Sequence, residues 1–399
     1  MSAKRRDEFV LEGSYSVREY GTMFGATVRG PAYLAALAEV VHPGTVVAEV
    51  GAGVALFSLM ACRLGAARVY AIEPSPVLEL AQRFAEDNGL ADRLIGLESL
   101  ATDIELPERV DVVIADLRGV LPFYRDSVSA VIDARDRFLK PGGTIIPARD
   151  TLWSAVVEAP EQYASITNPW TDATRGLDLQ RGLEAALNAW GSAVIEPAQL
   201  LGDPMVWGTI DYAGVAQAAM TGTAECRVNR AGTGHGTAAW FDTELTDGIG
   251  FSNAPGKPRT LHGQAFFPWS RPVDLHPGDI VRSTYRVLPG LGEFVWTWDT
   301  SIVDRHGQER AVFRQSTFLG SIFPTADTKR RAHSHVPHLS DRAELDREIL
   351  VLIDGHHTLG EIATQVHESH PGHFHDWNAA LQRVAGIARI HERRGDGAR

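Results

Sequence analysis

Between residues 31 and 153, apolar runs alternate with amphipathic stretches in a strand–helix rhythm. Thr45 to Val50 is a β-branched run ending at glycine, and Arg68 to Glu73 and Val110 to Ala115 repeat that texture. Val54 to Leu64, Val77 to Asn88 and Ser127 to Leu139 have helix-forming composition. Pro141-Gly142-Gly143 then turns into a further strand, Thr144 to Pro147. Strands that are apolar nearly throughout, spaced by helices, predict a parallel sheet covered on both faces.

After Pro147 the pattern shortens. Segments such as Thr237 to Phe241, Asp279 to Val281 and Phe294 to Trp298 recur between Gly and Pro turns, as in an antiparallel β domain. Roughly Leu177 to Trp190 breaks this texture as a helix, with Leu179, Leu183, Ala186 and Leu187 on one stripe. An apolar stripe thrown out of a β domain is expected to dock, with a second subunit as one candidate. The last seventy residues read as three helices, Ala343 to Asp354, His357 to His367 and Trp377 to His391, with a capping box at Thr358 and Glu361.

A length of 399 residues implies two or three domains. The formal charge of -12 speaks against nucleic acid, and the basic Lys4-Arg5-Arg6 lies at the chain start. Cys62 and Cys226 fit neither a disulfide framework nor a metal spacing, and no 18-residue apolar stretch occurs. A soluble, cytoplasmic chain without nucleic-acid or membrane partners is expected. Ten of the fifteen histidines fall after residue 330, but their spacings match no compact metal motif, so no metal is expected.

The first βα turn carries Glu49-Val50-Gly51-Ala52-Gly53. A dinucleotide fingerprint would place a third glycine where Leu56 stands, so a generic dinucleotide site fits less well. An adenosine-bearing methyl donor asks for close backbone approach at the first turn, an acid closing the second strand for the ribose hydroxyls, and a polar contact for the purine. Gly51 and Gly53, then Glu73, then Ala101 and Thr102 supply these in order, with Glu49 beside the loop. The expected cofactor is S-adenosylmethionine.

With those residues in place, the chain resembles the protein arginine methyltransferases, especially their bacterial relatives, over about residues 14 to 323. Tyr20 to Tyr33 resembles the family's cofactor-capping segment, which implies that Met23 covers the donor and Arg29 pairs with its carboxylate. Val47 to Gly53 resembles the first cofactor motif, and Ile72 to Ser75 the ribose-binding acid. Ala134 to Pro147, Trp240-Phe241-Asp242 and Gly250 to Pro255 are similar to the run into the barrel and to barrel segments. The resemblance implies a Rossmann-like α/β methyltransferase domain, an antiparallel β-barrel with a helical dimerisation arm, and a homodimer. The expected organisation is a cofactor-capping helical segment (1–34), a Rossmann-like domain (35–150), a β-barrel substrate domain (151–325) with its arm at about 166–194, and a small helical, winged-helix-like domain (335–399).

The departures bear on the acceptor. The family's loop carries two glutamates that clamp a guanidinium. Here the first is shortened to Asp116 and the second is replaced by Arg125, with Asp126 beside it. The family's Thr-His-Trp loop resembles Leu261-His262-Gly263-Gln264, and its third cofactor-loop glycine is Ala55. The candidate catalytic set is therefore Asp116, which also borders the cofactor site, with His262 as proton acceptor and Tyr20 and Tyr124 as orienting groups. The plainer alternatives are that Asp116 caps the next turn, His262 is a barrel residue, and the tyrosines are packing. The favoured acceptor is a small natural-product intermediate of secondary metabolism, such as an indole carbon or an amine. The alternatives are a protein or peptide arginine, with the C-terminal domain recognising the peptide, and a non-catalytic cofactor-binding scaffold.

Overall fold

The computed structural model describes residues 15–24, 28–171, 176–260, 263–290, 293–321, 330 and 333–391. Contacts divide the chain into two units, 1–321 and 322–399. In the first, helices α1 (Val17–Phe24) and α2 (Arg29–Val40) precede β1 (Val46–Val50), α3 (Leu56–Leu64), β2 (Arg68–Ile72), α4 (Leu78–Asp87), β3 (Leu94–Leu97), β4 (Val110–Ala115), α5 (Ser127–Phe138) and β5 (Leu139–Ile146). The five strands form one parallel sheet in the order β3-β2-β1-β4-β5. The chain leaves β1 toward β2 on one side and returns to β4 on the other. The crevice beyond the carboxyl ends of β1 and β4 is thus the switch point where such sheets bind ligands.

The apolar runs produced this sheet for the expected reason. All five residues of β1 are buried, including Glu49, a charged residue that needs a separate explanation. Strand β3 escaped the sequence reading because it has four residues, one of them glycine. Strand β5 begins at Leu139, ahead of the Pro-Gly-Gly turn, with a register irregularity between Val110 and Val112 on its β4 partner.

Two residues separate β5 from β6 (Arg149–Val157), the entry to an antiparallel domain. Helices α6 (Pro160–Thr171) and α7 (Gln180–Leu187) follow, and the sequence reading had found only the second. Pro169 lies inside α6, a residue that weakens a helix pattern in sequence. Then come β7 (Gly191–Ala193), β8 (Met205–Asp211), β9 (Met220–Arg227), β10 (Gly232–Thr246), β11 (Ile249–Ser252), β12 (Gln264–Leu275), β13 (Ile280–Pro289), β14 (Phe294–Val303) and β15 (Glu309–Ser316). They form two sheets, β7-β12-β10-β6-β8 with β11 on β10, and β15-β14-β13-β9. Strand β14 alternates strictly between buried and half-buried positions, sending Phe294, Trp296 and Trp298 inward. There Trp296 meets Phe267 and Trp207 at ring-centroid distances of 5.5 and 6.1 Å, Trp298 meets Phe267 at 5.3 Å, and Phe294 meets Phe123 at 5.3 Å. The architecture is a Rossmann-like domain followed by a β-barrel.

The second unit holds helices Asp341–Leu352, Leu359–Ser369 and Trp377–His391 around Leu345, Ile349, Ile362, Val366 and Val384. The expected capping box forms: the Thr358 hydroxyl accepts from the Glu361 N–H at 3.3 Å, and Glu361 accepts from the Thr358 N–H at 2.8 Å. No strand occurs among the described residues of this unit. Among the described residues, no helix is long and apolar enough to cross a membrane.

Candidate functional site

A cavity of about 860 Å³ opens at the switch point. Ten of the sequence-derived site residues line it: Tyr20, Met23, Arg29, Glu49, Gly51, Glu73, Ala101, Thr102, Asp116 and Tyr124. Gly53 stands just behind the wall and acts through its backbone. His262 lies outside the described residues.

The glycine loop is built on left-handed backbone. Gly51, Gly53 and Ala55 have φ of 70°, 56° and 56°. The N–H groups of Gly51 and Ala52 both donate to the Ile72 carbonyl, at 2.9 and 3.0 Å, which folds the loop over the end of β2. A side chain at Gly51 would collide with Leu117, and one at Gly53 with the Tyr20 ring. The left-handed φ favours glycine there, and any side chain would also have to displace Leu117 or Tyr20. Ala55 adopts the same conformation without glycine's freedom, at a cost of about 1–2 kcal/mol.

Glu73 is buried at the end of β2. One of its oxygens accepts from the Gly53 N–H at 2.9 Å and the other from the Ser75 N–H at 3.0 Å. Burial raises its pKa while these two donors oppose the rise. Each carboxylate oxygen keeps lone-pair capacity for a further donor, such as a sugar hydroxyl. Tyr20 packs across this corner, and burial together with the Glu73 charge pushes its hydroxyl pKa up. Glu49 is spoken for differently: one oxygen accepts from the Ser58 N–H at 2.8 Å and hydroxyl at 2.5 Å. Burial lifts its pKa to about 7 against those bonds.

On the opposite wall the loop after β4 carries Asp116, and this carboxylate is taken by two arginines. Arg29 donates Nε to one oxygen, while Arg118 donates Nε and Nη2 to the other at 3.3 and 3.1 Å. Burial alone would raise the Asp116 pKa, but the two guanidinium groups outweigh it and hold the acid below its ordinary value. Arg118 was not among the sequence-derived site residues. Its Nη1 reaches Asp150 on β6 at 3.0 Å and Thr243 on β10, and its Nη2 reaches the Tyr33 hydroxyl at 2.7 Å. The partners are 32 and 125 residues away, so local sequence gave no signal for them.

The remaining wall is aromatic and basic. Tyr15, Tyr124, Phe241, Phe251, Arg125 and Arg259 all face the cavity. The Arg125 guanidinium lies 5.2 Å from the Tyr124 ring centre, and its backbone φ of 49° is left-handed. Asn253 pins this side: it accepts from the Phe241 N–H at 2.8 Å and donates to the Val120 and Gly263 carbonyls. Gln264 bonds the Asn253 carbonyl in turn, so the loop between them is anchored at both ends. Ala101 and Thr102 lie in a short 3₁₀ turn, and Arg137 holds the Ala101 carbonyl at 2.6 Å.

Comparison with known proteins agrees with this geometry. Residues 26–148 match the family model of the ribosomal protein L11 methyltransferase (PrmA), and residues 148–293 that of the arginine methyltransferase oligomerization subdomain. In sequence and in fold the chain is arginine-methyltransferase-like. A probable protein arginine N-methyltransferase 6 of Arabidopsis thaliana is 34% identical over 222 residues, 54% of this chain and 50% of that protein. Protein arginine N-methyltransferase 8-B of Danio rerio is 28% identical over 250 residues, 61% of this chain and 59% of the relative. The chain thus spans about half to three-fifths of these relatives. Among solved structures, Arabidopsis thaliana protein arginine methyltransferase 10 superimposes with a TM-score of 0.68 at 21% identity, over 75% of this chain and 97% of that one. The Trypanosoma brucei PRMT1 enzyme-prozyme complex with AdoHcy gives 0.67 at 21% identity, over 74% and 98%. At that identity these two speak to the fold.

Proposed function

We propose that this arginine-methyltransferase-like chain binds S-adenosylmethionine in the switch-point cavity and transfers its methyl group. The observation that carries the reading is Glu73, a buried carboxylate fixed by two backbone N–H groups beside a left-handed loop with glycine at 51 and 53. Such an acid suits two vicinal sugar hydroxyls. Among the described residues Arg29 uses only its Nε on Asp116, which leaves both Nη groups for the donor's carboxylate. Bound there, the donor supplies a methyl group on a positively charged sulfur, open to in-line attack. Met23 and Tyr20, on α1, would cover it and keep water out. Asp116, held below its ordinary pKa, is a poor proton acceptor, which leaves His262 as the candidate for that task.

On the acceptor, kinship and geometry point in different directions. The relatives' names speak for a protein arginine, and none of those reported above names a small molecule. On that ground an arginine outranks the natural-product intermediate favoured by the sequence. A specific observation keeps a second reading: the acceptor wall carries Arg125 and Arg259 among tyrosines and phenylalanines, a surface suited to an aromatic or amine acceptor without a guanidinium. Under that reading the setting would be cytoplasmic secondary metabolism. We further propose a homodimer through the arm of α6 and α7.

Calorimetry with S-adenosylmethionine tests the cofactor. Glu73→Gln should weaken donor binding roughly tenfold or more, as expected for loss of charge-assisted bonds; unchanged affinity would show Glu73 misassigned. Labelled donor offered to arginine peptides and to a small-molecule extract then decides the acceptor. Label in peptides alone supports arginine, label in small molecules alone supports the second reading, and label in neither supports a binding scaffold. His262→Ala should abolish turnover while sparing donor binding.

A further inference from the structure

The acceptor end of the cavity already holds a guanidinium, and it belongs to the chain. Arg118 stands two residues beyond Asp116, its side chain only 4% exposed. Its Nε and Nη2 face one Asp116 oxygen, its Nη1 faces Asp150, and the Tyr33 hydroxyl caps Nη2. Its central carbon lies 5.3 Å from the Phe251 ring centre, 5.5 Å from Phe241 and 6.0 Å from Tyr33. Two carboxylates and three rings around one planar cation form the kind of surroundings a protein provides to bind an arginine side chain.

Resting on the methyltransferase reading of this cavity, we infer that Arg118 is an internal guanidinium that fills the carboxylate position of the acceptor pocket. It is a specificity-determining residue that bars an external guanidinium from Asp116. The charges support this. Arg29 and Arg118 balance Asp116 and Asp150, of which only Arg29 is half-exposed, and both Asp116 oxygens are engaged. An arriving guanidinium would leave that set with an excess positive charge away from water, a state proteins avoid. On this inference the geometry favours the second reading above, an acceptor held by the aromatic wall, over the arginine that the relatives' names suggest.

The test uses the full chain and methylguanidinium, with methylammonium and sodium chloride as controls. Melting curves and calorimetry are compared for the unaltered protein, Arg118→Ala and the double variant Arg118→Ala/Asp116→Asn. The unaltered chain should show no saturable methylguanidinium binding. Arg118→Ala should bind it roughly tenfold or more tightly than methylammonium, with a raised Tm, and the double variant should lose that preference. If Arg118→Ala fails to fold by itself, refolding restored by methylguanidinium and not by methylammonium is the same result. Saturable binding to the unaltered chain that Asp116→Asn removes would overturn the inference. So would an Arg118→Ala chain, folded or not, that responds no better to methylguanidinium than to methylammonium. No methyl donor enters these measurements. Their failure is thus distinguishable from failure of donor binding, which would overturn the methyltransferase reading itself.

Discussion

Asp116 sits between the half-buried Arg29 and the buried Arg118, and removing its charge takes from Arg29 its carboxylate partner and leaves Arg118 with Asp150 alone. Asp116→Asn should lower stability by about 3–5 kcal/mol, read from urea unfolding. It should also weaken donor binding, because Arg29 loses the group that aims it. A small change in both would mean that the ion pairs are dispensable. Glu49 behaves in the opposite sense. In the folded chain it takes up its proton at about 7 rather than 4.5, so between those values the folded state binds the extra proton and stability falls as pH rises. Glu49→Gln should remove that slope and gain on the order of 1–3 kcal/mol over the unaltered chain at pH 8. Parallel pH–Tm curves for the two proteins would contradict the assignment. At this scale Gly51, Gly53 and Glu73 were legible in the sequence, because each sits at a fixed step from a strand end. Arg118 was not, since its carboxylate and hydroxyl partners on β6 and β10 come from distant segments that only folding brings together.

Elements divide according to how strongly their own residues dictate them. Strands β1, β2 and β4 were readable because a parallel strand buried on both faces must be apolar along its whole length. Strand β3 and helix α6 were not, the one too short for a pattern and the other carrying an internal proline. In the second unit, the capping box at Thr358 was readable because it needs only two residues at one spacing. Thr358→Ala should cost about 1 kcal/mol of helix stability. Amide hydrogen exchange should speed up in Leu359–Ser369 and its two partner helices and leave β1 to β5 unchanged. Faster exchange throughout the parallel sheet would show that the two units unfold together.

Across the molecule, the arm leaves surface that its own chain does not cover. None of the twelve residues of α6 is buried, and Leu177, in the stretch between the two arm helices, is 68% exposed. The proposed homodimer should sediment at twice the chain mass at micromolar concentration, and deletion of residues 160–187 should leave a monomer that keeps the parallel sheet's protection. A monomer before deletion would remove the arm's assigned role. Arg118 also has a consequence for descent. It is held at once by its own loop and by two barrel strands, so a lineage cannot change its acceptor by letting the loop after β4 drift alone. Loss of the arginine would strand the Asp150 carboxylate in the interior, and descendants that turn to guanidinium acceptors should carry matched replacements at positions 150 or 243. The pocket's chemistry is inherited as a set.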